Sequence, residues 1–181
     1  MARAIARRAS ARGLEGATVL EIGGGIGQVL LELLKGGARE GEIVELVPSY
    51  EKHARTLAAE AGVVDRATFR TADLVADPSS RREADIVVLN KVVCCTPDGP
   101  ELAGIAASLT RRTLVLSFPR DDWWARAAFG TINGVLRLRR GSFRVFVHST
   151  ASLRGPAEAH GLTLVSERTG PLFRIAAFER A

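Results

Sequence analysis

Three acidic residues and a run of glycines hold most of the chemistry legible in this sequence. Gly23, Gly24, Gly25 and Gly27 follow an apolar run at residues 17–22, and Glu21 lies inside the end of that run. A strand that delivers Gly23-x-Gly25-x-Gly27 to a helix start sets backbone N–H groups against a ligand, with no side chain in the way. Position 28 is Gln, where a dinucleotide fingerprint needs its third glycine, and no Gly-Lys-Ser/Thr triplet of a phosphate-cradling loop occurs. A carboxylate at Glu21 repels a pyrophosphate but suits a ligand that carries an ammonium group. Glu45 closes the next apolar run, where a carboxylate accepts hydrogen bonds from both hydroxyls of a ribose. Asp73 follows the third run in A-D-L, where an acid can accept from an adenine amine. Each acid alone reads equally as a solvated charge at a strand end. Three in register behind three consecutive strands read as one site.

Those side chains need a sheet to align them, and the apolar pattern predicts one. Strands are expected at residues 17–22, 42–47, 67–71, 84–90 and 113–118, with helices at 28–35, 49–61 and 101–109 between them. The run A-D-I-V-V-L-N at 84–90 is almost wholly apolar, as a strand covered on both faces should be. The regular alternation of strand and helix over the first 118 residues implies right-handed crossovers and an α/β parallel sheet. Beyond residue 118 the pattern changes. A helix is expected at 123–138, an extended stretch at 143–147 and a helix at 152–160. Two strands at 162–167 and 173–179, joined through Gly170-Pro171, make a terminal hairpin.

The chain has 181 residues, 46% hydrophobic and 25% charged, which suits a single domain over 1–181 and excludes wholesale disorder. No apolar run approaches the roughly 18 residues of a membrane span. The only cysteines, Cys94 and Cys95, are adjacent; they read as a buried reduced pair or as a substrate-facing thiol, and either reading favours the cytoplasm. No residue set has metal-ligand spacing, so no metal is expected. The net charge is +5, and Lys35, Lys52 and Lys91 are the only basic residues that are not arginine. Arginine concentrates at Arg3, Arg7, Arg8 and Arg12, in an expected N-terminal helical segment (1–16), and at Arg137, Arg139, Arg140 and Arg144. Such clusters fit nucleic acid, an anionic substrate or a membrane surface, and charge alone does not choose.

In V-L-E-I-G-G-G-I-G (19–27), V-E-L-V-P-S-Y (44–50), T-A-D-L (71–74) and A-D-I-V-V-L-N (84–90) the sequence resembles the class I S-adenosylmethionine-dependent methyltransferases. The resemblance covers about residues 17–118. It implies a Rossmann-like, seven-stranded, mostly parallel sheet with an antiparallel C-terminal strand and helices on both faces. It also implies S-adenosylmethionine as cofactor, with S-adenosylhomocysteine as product. Carried over, Gly23, Gly24, Gly25 and Gly27 wrap the methionine part, and Glu21 holds its amino group directly or through water. Glu45 binds the ribose, Leu46 packs on the adenine, Asp73 and Leu74 line the adenine pocket, and Asn90 borders the sulfonium. Gly24 departs mildly from the family, where Cys, Pro or another small residue is common.

The acceptor is less legible. The resemblance places it above the strands ending near Asn90 and Phe118, within reach of a substrate-side insertion at 119–150. K-V-V-C-C-T-P-D lacks the Asn/Asp-Pro-Pro-aromatic signature of DNA and RNA amino methyltransferases, the paired glutamates of arginine methyltransferases and an acidic magnesium site. These absences leave a small-molecule acceptor methylated on O, N, C or S, with nucleic acid disfavoured and O-methylation the expected reaction. The order of segments after residue 118 looks loosely like the magnesium-protoporphyrin O-methyltransferases. Arg120 suits an acidic acceptor, Trp123 and Trp124 could wall a flat one, and Cys94 is the candidate thiol beside it. His148, as an imidazole, is the candidate base, and Lys91 a candidate catalytic contact for an anionic acceptor. With about sixteen residues before the first strand, pocket closure falls to the insertion, to a partner subunit such as a second copy in a homodimer, or to nothing. Two other classes stay open: a cofactor-binding subunit without catalysis, and a nicotinamide-dependent oxidoreductase. The second is disfavoured by Gln28 and by Ala54 four residues after the only tyrosine, Tyr50.

Overall fold

The computed structural model describes residues 1–141 and 143–181. Among them, seven strands form one sheet in the order β3-β2-β1-β4-β5-β7-β6. The strands are β1 (Thr18–Ile22), β2 (Glu40–Glu45), β3 (Ala67–Thr71), β4 (Ala84–Asn90), β5 (Thr110–Pro119), β6 (Leu162–Thr169) and β7 (Phe173–Arg180). The helices are α1 (Ala2–Ala9), α2 (Gln28–Lys35), α3 (Tyr50–Glu60), α4 (Gly99–Ser108), α5 (Trp123–Leu138) and α6 (Thr150–Ala159). β1 to β5 pair in parallel, and β7 inserts between β5 and β6, antiparallel to both. The hairpin therefore enters the sheet through its last strand, and β6 forms the edge.

Period-2 alternation sends side chains to two cores. Val19, Ile43, Ile86, Val88 and Val115 meet Ile5 of α1, Leu30 and Leu34 of α2 and Ala54 of α3 on one face. Leu20, Val44, Val87, Leu89, Leu116 and Phe118 meet Ala103 and Ile105 of α4 and Leu153 of α6 on the other. α1 is the amphipathic entry helix expected from its Ala/Arg pattern, buried through Ile5, Ala6 and Ala9.

Three elements differ from the pattern reading. β2 starts at Glu40 and ends at Glu45, two residues earlier than expected, because Gly41 is a strand residue. A Cβ there would lie 2.1 Å from Leu30 Cδ1, so the missing side chain lets α2 sit down on the sheet. β5 begins three residues early, with Arg111 and Arg112 at its outer end. Residues 143–147 are not a strand; their hydrogen bonds run to α5 and to the loop after β4.

α5 is the exception to close packing. Of its sixteen residues only Ala125 and Phe129 are buried. The Phe129 ring meets Phe173 edge-on at 5.9 Å. No helix among the described residues is long and apolar enough to cross a membrane.

Candidate functional site

In an open parallel sheet, ligands enter the crevice beyond the carboxyl ends of the strands where strand order reverses. Here that point lies between β1 and β4, and the loops that leave β1, β2 and β4 close on it. The glycine turn after β1 is fixed by backbone and by tight packing. Gly27, at the start of α2, has φ +75°, and a Cβ there would lie 2.2 Å from Ile43 Cδ1. Gly23, at φ +62°, presses its Cα on Val92 in the loop after β4, with 2.6 Å left for a Cβ. Gly24 covers Glu21. Gly25, at φ +55°, differs: a Cβ would meet nothing within 4 Å, so its outer face is open to a ligand.

Glu21 is 1% exposed beneath this turn. Its Oε2 accepts from Leu30 N at 2.8 Å, which satisfies one of the free N–H groups in the first turn of α2. Burial raises its pKa from 4.5 to about 7, the N–H groups of Leu30 and Val29 oppose the rise, and the charge of Glu45 adds to it. The residue that the sequence offers to an ammonium group is thus also the brace that joins turn to helix.

Glu45 closes β2 with both oxygens in use. Oε2 accepts from Gly25 N at 2.9 Å, and Oε1 accepts from Leu46 N at 2.8 Å and Val47 N at 3.2 Å. A carboxylate oxygen can take two hydrogen bonds, so Oε2, with one, keeps a lone pair free. Beside it Leu46 is 62% exposed, an apolar surface just beyond the carboxyl end of β2. After β3, Asp73 Oδ1 accepts from Val75 N and Ala76 N and orders its own loop. Leu74 differs from the expected pocket wall. It is 3% exposed and packed in the core with Ile22, Val44 and Leu89.

The end of β4 is braced from β5. Ser117 Oγ donates to Asn90 Oδ1 at 2.9 Å and accepts from Lys91 N at 2.9 Å. Lys91 N also lies 3.1 Å from Ser117 O. This brace holds Lys91 at φ +59°, a left-handed conformation that costs a residue with a Cβ about 1–2 kcal/mol. Its ammonium sits 5.2 Å from the centre of the Phe173 ring. Ser117 escaped the sequence reading; the signal was a hydroxyl in an otherwise apolar strand.

The Val93–Cys95 turn follows, and here two expectations change. Cys94, expected as the substrate-facing thiol, is buried, and Cys95 is the exposed one. Both Sγ atoms turn toward Lys91 O, at 3.4 and 3.3 Å. The closeness of the two sulfurs pushes Cys94 up and lowers Cys95 to about 7, with burial and Glu45 opposing the second shift. His148 packs against the same turn. Its Nε2 lies 2.9 Å from Val93 O and 3.0 Å from Thr96 O, both acceptors, so Nε2 carries the proton and Nδ1 holds the only lone pair of the neutral ring. A Cβ on Gly99 would strike this ring, and Phe146 stacks on it.

The segment that carries His148 is held by Asn133, another residue missed in the sequence. Its amide donates to Val145 O and accepts from Val145 N, both at 2.8 Å, as a strand partner would. Phe146 N then donates to Cys94 O at 2.8 Å. A lone Asn amid apolar helix residues was the available signal.

Arg120 is occupied. Its Nε donates to Asp122 Oδ2, its Nη1 reaches toward Gly170 O, and its guanidinium stacks on Trp124 at 5.0 Å. Trp124 is therefore half-buried by a neighbour, and Trp123, 82% exposed, walls no pocket. A groove of about 410 Å³ does open at this end of the sheet, between the start of α1 and the turn before β7. It is lined by Met1, Ala4, Leu172, Phe173 and Ile175, with Arg168 among them. Phe173 links this groove to Lys91.

The chain matches the protein family described as "Methyltransferase domain" over residues 1–167. No curated protein matches it. Among solved structures it is similar to magnesium protoporphyrin IX methyltransferase from Synechocystis PCC 6803 with bound SAH, at 22% identity and TM-score 0.79, covering 99% of this chain and 81% of that one. An O-methyltransferase family protein from Burkholderia thailandensis gives 21% and 0.77, covering 100% of this chain and 55% of that one. An O-methyltransferase family 2 protein from Planctomyces limnophilus in complex with apigenin gives 21% and 0.74, covering 97% and 56%. The chain thus spans little more than half of the latter two proteins, and at these identities the likeness is one of fold.

Proposed function

The chain belongs to the methyltransferase-domain family, and on that premise we propose that it transfers a methyl group from S-adenosylmethionine to a small-molecule acceptor, on oxygen. One observation carries this reading: the open face of Gly25, the Glu45 carboxylate and the bare Leu46 side chain adjoin at the sheet's switch point. A backbone donor turn, a diol acceptor and an apolar platform are what an amino-acid nucleoside needs. When bound, the cofactor supplies an electrophilic methyl on a sulfonium.

The protein's own residues then bind and orient. Glu45 Oε2 has a free lone pair for a ribose hydroxyl. Glu21, beneath the turn, braces it against α2 and, once ionised above about pH 7, attracts an ammonium through the turn or a water. Asn90 is fixed by Ser117 beside the reacting end, so its free amide N–H donors point from a rigid corner. The acceptor is assigned to the groove beside Phe173, where the Lys91 ammonium attracts an anionic oxygen. A groove of about 410 Å³ suits a small ligand. In-line transfer draws much of its rate from such positioning. Where the acceptor must lose a proton, Nδ1 of His148 is the available lone pair. The fold neighbours that act on small molecules support the acceptor class.

The test is titration of S-adenosylmethionine into the purified protein, followed by methyl transfer to a panel of phenols and carboxylates. Cofactor binding without turnover on any acceptor, with Lys91→Ala and His148→Ala indistinguishable from wild type, would leave a binding protein and sink the enzyme reading.

A further inference from the structure

The arginine cluster after residue 122 is not used by the site, and neither is the outer face of α5. From Trp123 to Ala157 the sequence has no aspartate or glutamate but has Arg126, Arg137, Arg139, Arg140, Arg144 and Arg154. Among the described residues, the first five form no ion pair with a carboxylate. Their charge stays uncompensated.

The same helix is bare on its apolar side. Trp123, Ile132, Val135 and Leu138 are all exposed, Leu138 by 86%, and Phe143 beyond the helix is half exposed. At 100° per residue these four helix positions spread over one half of α5. Ala125, Phe129 and Leu136 face the opposite half, toward the protein, and Arg126 and Arg137 lie on that half too, roughly 40–60° beyond Trp123. The outer half is thus mostly apolar, with arginine flanking it on one side and at its C-terminal end. A second copy of the chain would bring the same positive cluster against itself. Nucleic acid would satisfy the arginines but offer nothing to tryptophan, valine and leucine. A helix lying at the boundary of headgroups and acyl chains uses both features.

We propose that α5 and the Arg137–Arg144 segment dock the protein on the surface of a membrane rich in anionic phospholipid. The apolar half enters the acyl boundary and the arginines meet headgroup phosphates. Sixteen residues are too few to span a bilayer, so the contact is peripheral. Each arginine at such a surface strengthens partition by roughly five-fold, an effect that salt screens.

The experiment is co-sedimentation of the full chain with vesicles of phosphatidylglycerol and phosphatidylcholine, against phosphatidylcholine alone. Tryptophan emission is read in parallel, because Trp123 and Trp124 are the only indoles. Binding to the anionic vesicles, a blue shift from Trp123 and loss of both in molar salt are expected. Arg139→Glu with Arg140→Glu should weaken binding by at least about 25-fold. Val135→Asp with Leu138→Asp should abolish the blue shift while leaving the melting temperature close to wild type, since both side chains are exposed. Failure to bind anionic vesicles overturns the proposal. So does vesicle binding that both double variants retain, tighter binding to duplex DNA, or a protein dimer that Leu138→Asp dissolves. The assay contains no cofactor or acceptor, so its outcome is independent of the methyltransferase reading.

Discussion

The carboxyl edge of β1, β2 and β4 and the α5 region beside it are built by opposite means. At the first, backbone does the work: glycines in left-handed conformations, a buried carboxylate on a helix N-terminus, and Glu45 bonded to three amides. At the second, a helix with two buried residues stands on one aromatic contact and one asparagine. A cofactor common to a family needs fixed donors and close packing, and close packing resists change. The surface proposed to meet a membrane lies where packing is thin.

The largest effect should come from closing the packed edge. Gly27→Ala places a methyl against Ile43 in a left-handed backbone, and should cost roughly 3–4 kcal/mol in chemical denaturation. A cost no larger than that of a matched alanine on the α5 surface would erase the contrast between the regions.

Glu21 gives the next test, through pH. In the folded chain it keeps its proton up to about pH 7, whereas unfolded it releases it near 4.5. The folded state therefore holds more protons between these values, and stability falls as pH rises through that window, by roughly 3 kcal/mol in all, then levels off. Glu21→Gln should remove this decline in melts taken from pH 5 to 8. An unchanged pH profile would mean that Glu21 is ionised in the native protein.

On the thin side, Asn133→Ala removes both bonds to Val145 and should cost about 1–2 kcal/mol. It should also free the 143–148 segment in amide exchange, leaving β1 protected. The smallest effect has the opposite sign. Arg140 occupies φ +57° where α5 ends, with Gly141 N bonded to Leu136 O, a position that favours glycine. Arg140→Gly should raise stability by about 1 kcal/mol while weakening vesicle binding. A residue kept at a cost to folding is then assigned to the surface it serves.

The same contrast explains what could be read in the sequence. β1, β3, β4 and the glycine turn were legible because apolar runs and Gly/acid spacing encode them locally. β2 slipped by two residues because Gly41 looks like a breaker until α2 is seen lying on it. Glu21, Glu45 and Asn90 stand at the strand ends where the apolar runs put them. The burial of Leu74 and Cys94 and the exposure of Trp123 were not legible, because strand alternation says nothing about which way a residue beyond a strand end turns. Ser117 and Asn133 act across long sequence separations, to Asn90 and Val145, and no local pattern announces such a pair.

The central claim concerns the switch point, and calorimetric titration of S-adenosylmethionine into wild-type and Glu45→Ala protein tests it most directly. Losing a charged acceptor for a ribose diol should weaken binding by about 10- to 100-fold, in a variant whose melting transition stays cooperative. Equal affinity in the two proteins would place the cofactor elsewhere and contradict the account.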